Sequence, residues 1–172
     1  MDWLQVALRI LHIGTGIFWV GGAALFFFYI EPTLNKLGPN AELFVDEIIN
    51  RRKLPIYFAV VSTLTVLGGV LMYWRDSNGL SGSWVTSPTG LAFGLGGICA
   101  LIAWVMGFSV LTPAVQKVGA LGAEMKAAGG PPSAELMGRM HAAQERVRTI
   151  GAIDLVLVLL AVLGMATARY LA

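Results

Sequence analysis

Four unbroken apolar stretches limit what this chain can become more than any other feature. Residues 10–30 carry no charge apart from what His12 can hold, residues 54–74 and 91–115 carry none, and residues 149–168 carry only Asp154. A helix of about 20 apolar residues crosses roughly 30 Å of hydrocarbon, so each stretch is long enough for one passage. Membrane strands are excluded because the stretches are continuous, not alternating, and exceed the ten or so residues of a barrel strand. Composition agrees: with 56% hydrophobic and 13% charged residues among 172, a water-soluble domain would lack polar covering. The expected fold is all-α, a single membrane domain over residues 1–172 built as a four-helix bundle in a lipid bilayer. Its helices should span about 3–30, 54–74, 90–127 and 133–171.

The charges give the orientation. Nine of the twelve Lys and Arg residues lie between helices 1 and 2 (Lys36, Arg51, Arg52, Lys53) or between helices 3 and 4 (Lys117, Lys126, Arg139, Arg146, Arg148). Only Arg9, Arg75 and Arg169 fall on the opposite side. The positive-inside bias therefore puts both larger connections in the cytoplasm and both termini outside, in a bacterial inner membrane. The first stretch reads as a retained helix, because Asp2 stands where a secretory signal has a basic segment and the apolar core is too long. A formal net charge of +2 gives no footing for nucleic acid, and the single Cys99 precludes a disulfide within the chain.

Two segments rhyme. Residues 31–38 read Glu-Pro-Thr-Leu-Asn-Lys-Leu-Gly and residues 112–119 read Thr-Pro-Ala-Val-Gln-Lys-Val-Gly, while Val-Leu-Gly recurs at 66–68 and 162–164. The pattern fits a duplicated helical hairpin; it also fits the ordinary use of Pro and Gly at helix ends. Residues 114–128 and 133–149 are Ala-rich and separated by Gly129-Gly130-Pro131-Pro132, which predicts a cytoplasmic helical hairpin whose second arm is capped by Ser133. Leu136, Met140 and Val147 form a stripe for packing on the neighbouring arm. Trp74 and Trp84 flank the polar outer loop as interfacial anchors. Glycines at 14, 16, 21, 22, 68, 69, 94, 96 and 97 permit close helix approach in lipid.

Ionisable groups at membrane depth cost a few kcal/mol or more unless paired or hydrated, which makes Arg9, His12 and Asp154 candidate functional residues. Arg9 and His12 share a helix face at i, i+3. His12 is either a hydrogen-bonded packing residue or a metal ligand, haem ligand or proton relay. Asp154, shortly after Arg146 and Arg148, is a candidate for an ion pair, a helix–helix hydrogen bond or a proton-handling group. His12, Cys99, Met72 and Met165 should share the outer layers, and imidazole, thiolate and thioether together suit Cu(I); Met and Cys are equally ordinary packing residues. Haem held between the two histidines is excluded. His12 lies roughly 25 Å above the cytoplasmic boundary, and His141 lies roughly 10 to 15 Å beyond it. No nucleophile triad, phosphate loop or zinc motif is present to support hydrolytic or nucleotide chemistry.

The run Arg9-Ile-Leu-His12 followed by Trp19-Val-Gly-Gly22 resembles the first helix of the copper-resistance D type membrane domain (CopD-like) and of its relative, the membrane protoporphyrinogen oxidase. Arg51-Arg52-Lys53 leading into a helix that ends Leu-Gly-Gly-Val-Leu-Met, and the approach to the last helix through Arg148, add to the likeness. Uncharacterised bacterial four-helix proteins share the pattern. The resemblance implies a haem b- or copper-associated bundle with His12 carried over as the binding position and Arg9 beside it. The oxidase carries a lysine in its third helix, whereas residues 91–115 here contain no charge, which argues against porphyrinogen oxidase activity and, with it, against an enzyme. The leading expectation is a non-enzymatic copper, haem or proton-relay bundle. The alternatives are an accessory subunit of a respiratory or photosynthetic membrane complex, in contact with other subunits or with copies of itself, and an oxidase-like enzyme.

Overall fold

The computed structural model describes residues 1–171, in which no strand occurs. Four helical rods are long and apolar enough to cross a membrane: Trp3–Leu37, Leu54–Asp76, Pro88–Ala127 and Ala134–Ala168. The chain is therefore a multi-pass, all-α membrane bundle. Most large apolar side chains on these rods face outward, as lipid solvent requires, and the interior mixes a few large apolar residues such as Trp19 and Leu155 with alanines and the hydroxyls of Ser62 and Thr65.

Two of the rods are composite. In the first, α1 (Trp3–Leu25) passes through a π-helical turn, π1 (Phe26–Ile30), into α2 (Glu31–Leu37). A connector follows, comprising α3 (Glu42–Asp46) and a second π turn, π2 (Glu47–Arg51). The second rod is α4 (Leu54–Asp76), entered through Lys53 at φ 54° and with Pro55 in its first turn. After the short α5 (Gly82–Val85), the third rod is α6 (Pro88–Met106), a third π turn, π3 (Gly107–Leu111), and α7 (Thr112–Ala127). The fourth rod is α8 (Ala134–Ala168).

The first rod thus runs on past Ile30 to Leu37, through Pro32. Proline lacks an N–H and crowds the carbonyl four residues back; widening the preceding turn to i→i+5 bonding relieves that crowding without ending the helix. The same solution recurs at Pro113. Both π turns fall immediately before the rhyming segments, so the likeness of the two stretches extends to the backbone. In each hairpin the closest packing is internal, α1 on α4 and α6 on α8.

The hairpins join around a core of Trp19, Val61, Ala103, Leu155 and Val158. A separate small core of Leu121, Leu136 and Ala143, flanked by Val118, Met125 and Met140, zips α7 to the start of α8. There the predicted hairpin projects beyond the apolar zone, with Arg139 bidentate on Glu124 at 3.1 and 3.3 Å. Ser133 caps α8 as its sequence requires, accepting from the Leu136 N–H at 3.2 Å. We call this end of the bundle the hairpin side and the other the terminal side. On the terminal side Asp2 caps α1 and pairs with Arg75 at 2.7 Å, while Gln5 donates to Asp76 at 2.8 Å.

Candidate functional site: the His12 seam

Where α1 crosses α4, the sequence supplies Gly68 and Gly69 on one helix and His12 on the other. A Cβ built on Gly68 would lie 3.2 Å from the His12 Cβ, and one on Gly69 would lie 2.9 Å from its Cε1. The paired glycines therefore make the recess that the imidazole occupies. His12 Nδ1 lies 2.7 Å from the Thr65 carbonyl oxygen. A carbonyl only accepts, so Nδ1 carries the hydrogen, and in the neutral ring the Nε2 lone pair is left available.

Hydroxyls continue this polar strip. Thr65 Oγ1 is 2.8 Å from Thr15 Oγ1 and 2.7 Å from the Val61 carbonyl, while Thr15 donates to the Leu11 carbonyl at 2.7 Å. Ser62 and Thr65 are both buried. A hydrogen-bonded hydroxyl and imidazole strip of this kind holds two helices together where hydrophobicity exerts no pull. The sequence marked His12 and the glycines. It did not mark Thr65, whose threonine looks like any helix hydroxyl until the crossing point is known.

The other proposed ligands sort by seam. Met72 stands one turn beyond Gly68–Gly69 on α4, half-buried, on the His12 side of the bundle. Met165 belongs to the second hairpin, its Cγ 3.2 Å from where a Gly96 Cβ would be, and Cys99 follows Gly96 by one turn on α6. Tyr73 packs on Gly94 and donates to the Gly90 carbonyl at 3.2 Å, while Trp104 donates to Thr63 at 3.1 Å. In that antiparallel register Cys99 is level with Gly68, so the soft atoms share a depth but occupy two seams. Among the described residues no three His, Cys, Asp or Glu side chains gather as a metal-binding group. A haem macrocycle does not fit between α1 and α4, because their backbones are already at contact distance across Gly68.

Arg9 is exposed on α1, one turn before His12. Asp154 is buried in α8. No ion pair joins it to Arg148 among the described residues, because six residues of helix put the two on different faces. Arg148 lies instead within electrostatic reach of Glu31.

Comparison with known proteins adds no relative: no protein-family model, curated protein or solved structure matches the chain significantly.

Proposed function

We propose that this chain is a non-enzymatic membrane bundle of the copper-resistance D type, in which His12 binds a soft metal ion, Cu(I) above all, within the terminal-side half of the membrane. One observation carries the reading: the Nδ1 to Thr65 carbonyl bond of 2.7 Å. Metal-bound histidines commonly donate the second ring nitrogen to a carbonyl, which fixes the tautomer and strengthens Nε2 as a donor. Met72 on the adjacent turn is the first thioether at hand, and Cys99 and Met165 stand at the same depth across the bundle. Bound copper would supply a soft Lewis acid; the chain's contribution is to orient the imidazole and exclude water. The basic bias of the connections favours the hairpin side as cytoplasmic and the inner membrane as location.

Copper content and an optical spectrum of the detergent-purified protein test this reading, alongside His12→Ala. The expected outcome is copper in the wild type, lost from the variant with the helical content unchanged. Absence of copper and haem from both preparations would remove it.

A second reading, an accessory subunit of a larger membrane complex, rests on the exposed Arg9 within the first rod and on the projecting hairpin. Native gels in mild detergent separate the two. A lone species of 18.3 kDa throughout would count against the subunit reading.

A further inference from the structure

The hairpin-side layer of the bundle is short of hydrogen-bond donors. In π1 the Glu31 N–H reaches the Phe26 carbonyl, five residues back, and the next residue is Pro32, which has no N–H. The Phe27 carbonyl thereby loses both its i+4 and its i+5 donor. Residue for residue the same happens in π3: the Thr112 N–H goes to the Gly107 carbonyl, Pro113 follows, and the Phe108 carbonyl is left without either. The two orphaned carbonyls occupy equivalent positions in the two hairpins.

Helix α8 packs against both π turns. Its Gly151 faces the Phe27 ring, 3.8 Å from where a glycine Cβ would stand. One turn further along that helix is Asp154, 7% exposed. Its Oδ1 is buried with no hydrogen-bond partner. Two carbonyl oxygens and a carboxyl oxygen, all acceptors, thus belong to segments that pack together where hydrocarbon offers no water. Orphaned polar groups in such a medium are costly, and π turns recur at functional positions.

We propose that Asp154 is a proton-binding site: in its acid form the carboxyl donates to the carbonyl of Phe27 or Phe108, and on losing the proton it has only acceptors before it and loosens α8 from the π turns. The proton is exchanged with water on the hairpin side, about one turn of helix away, and no other reactant is needed. Titratable or charged groups on the adjoining elements at this end are Tyr29, Glu31 and Lys36 on the first rod, Lys53 and Tyr57 at the start of α4, Lys117 on α7, and Glu145, Arg146 and Arg148 on α8 itself. This site is independent of the His12 reading; neither depends on copper being bound.

An apolar carbodiimide, dicyclohexylcarbodiimide, adds to protonated carboxyls within a membrane and leaves a stable adduct readable by peptide mass. Full-length protein in liposomes should be modified at Asp154, with labelling falling at least tenfold as the pH is raised and unchanged by sodium chloride at fixed ionic strength. Asp154→Asn, whose amide supplies the missing donor, should fold and remain unlabelled there. The pH profile of the wild type stands even where a variant misfolds. No adduct at Asp154, or one indifferent to pH, would overturn the proposal. Protection by sodium ions would overturn it too, because the occupant would then be a metal cation.

Discussion

The two hairpins share one plan and fill it differently. Each first rod passes through a π turn before an X-Pro pair, and each return helix carries a Val-Leu-Gly step at its crossing. In the second hairpin that step meets backbone: a Cβ on Gly164 would lie 3.2 Å from the Ala92 carbonyl, and one on Gly96 would lie 3.0 Å from the Ala161 carbonyl. In the first hairpin a Cβ on the corresponding glycine, Gly68, would meet the His12 Cβ at 3.2 Å and its backbone at 3.5 Å, and one on the next residue, Gly69, would meet the imidazole ring. The second seam is sealed by main chain on main chain; the first brings the backbones nearly as close at Gly68 but leaves, at Gly69, a recess that an imidazole occupies.

Four substitutions would break or sharpen this contrast. The largest effect is expected at Gly96→Leu, where backbone cannot yield: about 3 kcal/mol of stability should be lost, seen as a lower Tm in detergent. Gly14→Leu, facing open space, should leave Tm unchanged. If both variants behave alike, the sealed seam is not what holds the second hairpin. Gly69→Val comes next. Its neighbour is a side chain that can swing away, so about 1 to 2 kcal/mol should be lost together with any bound copper. His12→Ala removes one hydrogen bond whose acceptor remains within a helix and should cost about 1 kcal/mol. A loss as large as that at Gly96 would mean that His12 is a structural pin and not a site.

The smallest effect concerns the terminal-side clasp. Hydrogen bonds from the Gln5 N–H and the Arg75 guanidinium hold the Asp2 carboxyl below the usual carboxylate range. A folded-state value below the unfolded one stabilises the fold above the unfolded value and ceases to do so as pH falls through the folded one. Asp2→Asn should therefore lower Tm slightly at neutral pH, and the two melting curves should converge in acid. Curves that stay apart in acid would show that the charge is irrelevant.

Much of the architecture was legible because lipid makes simple demands. Run length gave the four rods, Gly-Gly-Pro-Pro with Ser133 gave the hairpin tip, and Leu136 and Met140 found the neighbouring arm as their stripe requires. The π turns were not legible. Pro32 reads as a stop under helix rules, and nothing in the local sequence shows that the preceding turn widens to carry the helix past it. His12 was visible as a costly group, but Thr65 as its partner depends on the crossing register of α1 and α4, which no local pattern encodes. The six-residue spacing of Arg148 and Asp154 conceals that the two stand on different faces of α8: neighbours in number are not neighbours on a cylinder.

The sixteen residues of α7, most of them beyond the apolar zone, make an arm about 24 Å long rooted at π3 and Pro113. An arm of that length acts as a pointer. A swing of about ten degrees at its root would carry the tip roughly 4 Å, so a small change in how α8 seats on the π turns would be legible at a distance as motion of Gly129 and Gly130.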